Sequence, residues 1–214
     1  MSRRALILAN GQVADYALLS THLHADDLLI CADGGLAHAR ALGLQPHWLV
    51  GDLDSVEAAW LEELDSATQI ERYPAGKNET DLELALQRAQ ALAVDSVLVA
   101  GLGGGRLDHA LANVLLLAQQ RWPFRLSFVE GGQRACILRG GAQLTLGGPV
   151  GTLVSLLPLP GAAGIVTRGL QYPLCNESLS FGTPRGISNV ISEAGASLQL
   201  AEGTLLVIQT PPAD

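Results

Sequence analysis

Apolar residues follow two different rhythms in this chain, and the change between them divides it. Up to about Gly131, short continuous apolar runs alternate with segments whose apolar positions recur at helical spacing. The runs ALILAN, LLICAD, HWLVGDLD, the weaker TQIERYP, DSVLVAGLG and RLSFVEG read as strands. Tyr16 to Leu23, LAHARALG ended by Gly43, Val56 to Leu64, DLELALQRAQALA capped by Thr80, and Leu107 to Gln120 read as helices. Strands alternating with helices across short connections predict a mostly parallel, doubly wound sheet. Beyond Gly131 the helical period disappears. Short turn-punctuated runs replace it: ACILRG, AQLTLGG, TLVSLLPL, GIVTRGLQYPL, GISNVIS, ASLQLAEG and TLLVIQT. Glycine and proline are dense between them, which predicts an antiparallel sandwich or barrel. The expected organisation is an α/β domain over residues 1–132 and an all-β sandwich domain over residues 133–214.

Composition narrows the partners. Hydrophobic residues make up 48% of the 214, enough for a sizeable core. The net charge of −8 argues against a nucleic-acid partner, which needs a basic face. Three widely spaced cysteines, Cys31, Cys136 and Cys175, suit a reducing cytoplasm better than a disulfide framework. The apolar run after Arg3 and Arg4 is too short for a signal peptide and reads as the first strand; no run reaches membrane-spanning length.

The candidate chemistry gathers at strand ends. Asp33 closes LLICAD, Asp52 and Asp54 close WLVGDLD, and Asp108 follows a glycine-rich turn after VLVAGLG. Asp81 opens a helix. In an open parallel sheet the strand C-termini share one edge, where ligands bind. Carboxylates gathered there repel unless cations lie between them. Hard oxygen donors beside a glycine loop suggest Mg²⁺ and a nucleotide.

Each segment also has a local structural use. Asp33 before Gly34-Gly35 is a metal or ribose ligand, or an N-cap. Asp52 and Asp54 face one metal if the strand continues through them; otherwise Asp54 caps the helix near Val56. Thr80 and Glu83 form a capping box, which leaves Asp81 and Lys77 unexplained. A helix N-terminus attracts phosphate, and Lys77 can neutralise one. The loop Gly101 to Gly105 lets a backbone approach a ligand, with Arg106 available to grip phosphate. It is neither a Walker A loop nor a good dinucleotide fingerprint. His109 serves the site or the helix start. His22, His24, His38 and His47 read as surface or core-edge residues, and Trp48, Trp60 and Trp122 as packing. Ser188-Asn189 alone ranks as turn chemistry.

Together, CADGG at 31–35, VGDLDS at 50–55, TDLELAL at 80–86, GGRLDHALAN at 104–113, GLQYPL at 169–174 and SNV at 188–190 resemble the thiamine pyrophosphokinase family. The six motifs match in order across nearly the whole chain. The resemblance implies transfer of a pyrophosphoryl group from ATP to thiamine, giving thiamine diphosphate and AMP. It implies a homodimer with active sites between subunits. It implies that Asp52, Asp54 and Asp81 hold Mg²⁺ with Asp33 nearby, and that Thr80 and Arg106 contact phosphates. It implies that Asp108 makes a polar substrate contact and that Ser188 and Asn189 reach the thiamine ring from the partner subunit. A primary alcohol needs only late proton removal, for which a nearby carboxylate such as Asp81 or Asp33 is the expected base. Some family members stack the pyrimidine on a tryptophan shortly after the Ser-Asn pair; SNVISEAGASLQL has no aromatic residue. The same chemistry on another alcohol, such as a pterin alcohol, and a non-catalytic thiamine or nucleotide sensor are the competing readings.

Overall fold

The structure, a computed structural model, describes residues 3–119 and 121–212. The chain divides into two compact units, Met1–Gly131 and Gly132–Asp214. Among the described residues no helix is long and apolar enough to cross a membrane.

In the first unit the chain runs β1 (Arg4–Leu8), α1 (Tyr16–Ser20), β2 (Leu28–Ala32), α2 (Leu36–Ala41), β3 (Trp48–Gly51), α3 (Ala58–Glu62), β4 (Gln69–Arg72), α4 (Asp81–Ala91), β5 (Ser96–Ala100), α5 (Leu107–Gln119) and β6 (Arg125–Glu130). Gln120, where the last helix was expected to end, lies outside the described residues. Every strand pair is parallel, in the order β6-β5-β1-β2-β3-β4. The chain winds outward from β1 through β4, then returns to the other side of β1 with β5 and β6. That reversal opens a crevice at the C-terminal ends of β1 and β5.

Near-continuous apolar strands are what a sheet buried on both faces requires. Alternate residues Leu6, Leu8, Leu29, Cys31, Leu49 and Leu98 form one cluster with Leu19 of α1, Leu36 and Ala39 of α2, and Trp60 and Leu61 of α3. The intervening Ala5, Ile7, Ile30, Val50, Val97 and Val99 are also fully buried, on the opposite face of the pleat. Helix α4 packs on β1, β2 and β3 and buries Leu82, Leu84, Ala85, Leu86 and Ala89. Arg88 on α4 ion-pairs with Glu71 and lies 4.3 Å over the Trp48 ring, so that tryptophan both packs and carries a cation.

The second unit is all antiparallel: β7 (Gln133–Arg139), β8 (Ala142–Thr145), β9 (Leu153–Arg168), β10 (Cys175–Ser180), β11 (Asn189–Val190) and β12 (Ser197–Thr210). The two long strands, β9 and β12, pair along almost their whole length, with a register shift between Gly203 and Leu205. One half of β12 borders β8, the other β7. The ends of β9 border β11 and β10. Strands that change neighbours through a bulge fold one sheet into a sandwich. Its interior holds Leu138, Val154, Leu156, Ile165, Leu198 and Leu205.

Two sequence expectations need correcting here. TLVSLLPL and GIVTRGLQYPL, expected as separate strands, both contribute to β9, and ASLQLAEG and TLLVIQT both contribute to β12. The glycines between them are bulge and left-handed positions inside the strands, not turns: Gly164 has φ 66° and Gly203 has φ 90°. GISNVIS shrinks to a two-residue strand, while CNESLS, too polar to be noticed, forms β10.

Candidate functional site

A cleft of about 750 Å³ opens in the first unit at the strand ends. Its lining includes Asn10 and Gln12 after β1, Asp33 after β2, Asp52, Asp54 and Ser55 after β3, and Gly103, Gly105 and Arg106 after β5. Thr80, Asp81 and Leu82 at the start of α4, and His109 and Asn113 on α5, complete it.

Asp33, Asp52 and Asp81 converge there, with one carboxylate oxygen from each within 4.8 Å of the others. Different backbone devices bring them together. Asp33 begins a single 3-10 turn, Asp33–Gly35, with φ 47°, a left-handed conformation that costs a non-glycine residue energy. A side chain on Gly35 would lie 2.0 Å from the Leu8 carbonyl oxygen, so only glycine lets this turn settle on β1. Neither helical cap after β2 is made by a side chain, which removes the capping explanation for Asp33. Strand β3 stops at Gly51, so Asp52 and Asp54 do not share a strand face. They sit on a turn with Leu53 buried at φ 64° between them. Asp54 is outside the trio, and its Oδ1 accepts from Ser55 Oγ at 3.0 Å. It caps no helix, since α3 starts at Ala58 after Glu57. Asp81 is the first residue of α4, and Thr80 is its cap, accepting from the Glu83 N–H at 3.2 Å.

Lys77 bridges two of the three carboxylates. Its Nζ lies 3.2 Å from Asp52 Oδ2 and 2.9 Å from Asp81 Oδ1. Burial alone would lower the lysine's pKa, but the two carboxylates outweigh it and hold the ammonium charged. Burial pushes the Asp81 carboxyl up, against the pull of Lys77. Asp52 is pulled down, first by the backbone N–H of Asp54 and also by Lys77. Asp33 is 3% exposed, and its Oδ1 has no hydrogen-bond partner. An orphaned buried carboxylate oxygen is costly. Three negative charges facing one ammonium leave room for a dication. The all-oxygen donor set fits Mg²⁺.

The glycine loop is locked to its neighbours by backbone bonds. Gly11 N–H donates to Gly101 O and Gln12 N–H to Gly103 O, both at 2.7 Å. A side chain on Gly11 would meet Gly101 O at 2.3 Å. Asn113 Nδ2 donates to Leu102 O at 3.0 Å, and Glu130 accepts from Gly103 N–H at 3.3 Å. Burial raises the Glu130 pKa. His38, expected at the surface or the core edge, is buried. Its Nε2 lies 2.8 Å from Gly11 O and its Nδ1 lies 2.8 Å from the Tyr16 hydroxyl. Sequence reasoning missed Asn10, Asn113, Glu130 and this role of His38. Asn10 closes ALILAN, so the strand-end rule that found the aspartates could have found it too.

Arg106 and Asp108 form an exposed ion pair, 2.6 Å between Nη2 and Oδ2. Asp108 also accepts from the His109 N–H, and Arg106 beside it holds its carboxyl down to about 2. In the second unit, Ser188 adopts φ 58° and its N–H donates to Ser155 Oγ. Asn189 uses both ends of its amide on one residue: Oδ1 accepts from the Tyr172 N–H at 3.0 Å, and Nδ2 donates to Tyr172 O at 2.7 Å. It clamps the loop that presents the exposed Tyr172 side chain.

This is a doubly wound α/β unit with a carboxylate-lined cleft, followed by an all-β unit. The thiamin pyrophosphokinase catalytic-domain family matches residues 19–126, and the thiamin pyrophosphokinase vitamin B1 binding-domain family matches residues 143–205. The chain belongs to the thiamine pyrophosphokinase family. Thiamine pyrophosphokinase of Bacillus subtilis strain 168 is 26% identical over 186 residues, 86% of this chain and 87% of that protein. The Bacillus subtilis thiamine pyrophosphokinase crystal structure superposes with a TM-score of 0.87 at 22% identity, covering 99% of this chain and 100% of that one. Thiamin pyrophosphokinase from Candida albicans shares the fold with a TM-score of 0.81 at 17% identity, covering 98% and 89% of the two chains.

Proposed function

We propose that this enzyme transfers the pyrophosphoryl group of ATP to the hydroxyl of thiamine, giving thiamine diphosphate and AMP. The observation that carries the reading is the convergence of Asp33, Asp52 and Asp81 on a nucleotide-sized cleft in a chain that matches both domains of the family.

Asp33, Asp52 and Asp81 would hold Mg²⁺, with Asp54 on the same cleft wall. When bound, the ion neutralises charge on the phosphate oxygens of the donor. The chain's own groups supply the rest. The first turn of α4, capped by Thr80, and the glycine loop line the cleft along which a phosphate chain would lie. Arg106 and Lys77 bring positive charge to it. Asp108 orients Arg106 and makes a polar contact to substrate. The thiamine hydroxyl oxygen attacks the β-phosphorus in line. A new O–P bond forms as the bond from the β-phosphorus to the α,β-bridging oxygen breaks, and AMP leaves with that oxygen. The alcohol proton departs late, to Asp81 or Asp33.

Ser188 and Asn189 are assigned to the thiamine side, reaching the ring from a partner subunit. A homodimer is supported by an apolar stripe on α5. Leu107, Leu111 and Leu115 recur at helical spacing and are each more than half exposed. A cytoplasmic setting is supported by three free cysteines.

The test is turnover of purified protein with ATP, Mg²⁺ and thiamine, followed by chromatography of the products. Thiamine diphosphate and AMP in equal amounts are expected. AMP formed with another alcohol but not with thiamine would keep the chemistry and discard the substrate. Tight thiamine binding without any turnover would make the protein a sensor.

A further inference from the structure

Lys77 is the single lysine in the chain; the other twelve side-chain cations, apart from histidine, are arginines. That lysine stands beside the convergence of Asp33, Asp52 and Asp81. Its side chain is 9% exposed, and its ammonium contacts Asp52 and Asp81 but leaves the buried Asp33 Oδ1 without a hydrogen-bond partner. Arginine and lysine are not equivalent in such a place. A guanidinium is a broad planar fork, whereas an ammonium is a compact point charge on a flexible stem.

Lys77 is also carried by a loop rather than by a strand or helix. It lies between β4 and α4 in a turn held by its own N–H to Pro74 O at 3.3 Å. The preceding Gly76 has open space around it, with nothing within 4 Å of where a side chain would begin.

We propose that Lys77 is an internal counter-ion, displaced by the divalent cation. With the site empty, its ammonium occupies the space between Asp52 and Asp81 and keeps their mutual repulsion from splaying the strand-end turns. On entry the dication takes over both carboxylates and adds Asp33. Lys77 then withdraws to the cleft, where a phosphate can receive it. The inference rests on the reading of the trio as a Mg²⁺ site. It does not require that thiamine be the acceptor.

Because the chain has one lysine, protein labelled with ¹³C,¹⁵N-lysine gives one lysine side-chain signal in NMR. We expect this signal to shift and narrow toward that of a solvated ammonium as Mg²⁺ alone is added, with no nucleotide or thiamine present. A signal unmoved when the metal site is saturated overturns the proposal. In parallel, Mn²⁺ binding without nucleotide, followed by electron paramagnetic resonance, should be at least about tenfold tighter in Lys77→Met than in wild type, since an ammonium at contact distance no longer competes. Equal or weaker binding by a folded Lys77→Met makes Lys77 a fixed strut instead. Lys77→Arg should not restore the wild-type affinity. None of these readouts uses turnover, so they stay separate from the test of the acceptor.

Discussion

At the strand ends of the first unit, three carboxylates lie within 4.8 Å of one another and one buried oxygen goes unpaired. Inside the second unit, Val154, Leu156, Ile165, Leu198 and Leu205 pack at 0–1% exposure, and buried Thr167 accepts from the Leu174 N–H at 2.8 Å. One region holds repulsion and two left-handed non-glycine residues, Asp33 and Leu53. The other is organised by packing. Left-handed non-glycine residues occur in both units, since Asn176 and Ser188 have φ 58° in the second, so what sets the first apart is unpaired charge gathered where a ligand can relieve it.

The most severe way to break this contrast is to remove charge from the trio. Asp81→Asn or Asp52→Asn should lower kcat by on the order of 10³-fold, the scale of losing one electrostatic group that acts on the transition state. Thermal unfolding should move upward in Asp81→Asn, whose charge burial disfavours, and downward in Asp52→Asn, whose charge the Asp54 N–H and Lys77 favour. Near-wild-type turnover in either folded variant would remove that residue from the metal site. Asp54→Ala sharpens the point: outside the trio, it should cost less than either of these.

The opposite response is expected in the second unit. Leu156→Ala should lower unfolding stability by about 2–5 kcal/mol, the usual cost of such a core truncation. Mg²⁺ binding should be unchanged while the protein is folded. Denaturant titration with a metal-binding assay on the same sample checks both halves of the statement.

Smaller effects are expected at Asn189 and Ser188. Asn189→Ala releases Tyr172 at both N–H and C=O and should raise the thiamine KM by about tenfold, with the ATP KM little changed; two lost hydrogen bonds set that scale. Ser188→Ala should act in the same direction, more weakly. Steady-state kinetics with each substrate varied in turn decides it, and an unchanged thiamine KM places the ring elsewhere.

The smallest effect belongs to the exposed pair Arg106–Asp108. The carboxyl of Asp108 is held down to about 2, below its unfolded value, so its contribution is present above the ordinary carboxylate range and is lost as pH falls through about 2. NMR titration should show Asp108 at about 2 in wild type and nearer the ordinary carboxylate range in Arg106→Gln. An equally low midpoint in the variant would credit the His109 N–H instead.

How much of this was legible beforehand follows from the same contrast. Asp33 and Asp52 could be read because a carboxylate after a buried apolar run has few structural uses, and Asp81 because the capping box of Thr80 and Glu83 leaves it unexplained. That Asp54 would fall outside the trio was not readable. It depends on β3 ending at Gly51 and on Leu53 turning left-handed, and leucine carries no signal for that. His38 looked peripheral because its helix is short; its burial comes from a tertiary contact with Tyr16 and Gly11. In the second unit the antiparallel class was clear from short runs and dense glycine. The long strands β9 and β12 were not, because a glycine at a bulge and a glycine at a turn look alike in sequence. Strand β10 was invisible, since its six residues CNESLS bury only Leu179.

The central claim is that the carboxylate edge directs transfer of two phosphates together. It is tested most directly by ³¹P NMR of wild type and Asp81→Asn with ATP, Mg²⁺ and thiamine. The account predicts that the β- and γ-phosphorus signals of ATP pass together into thiamine diphosphate while the α-phosphorus appears as AMP, and that this stops in Asp81→Asn. ADP with thiamine monophosphate, or equal turnover in the variant, would contradict it.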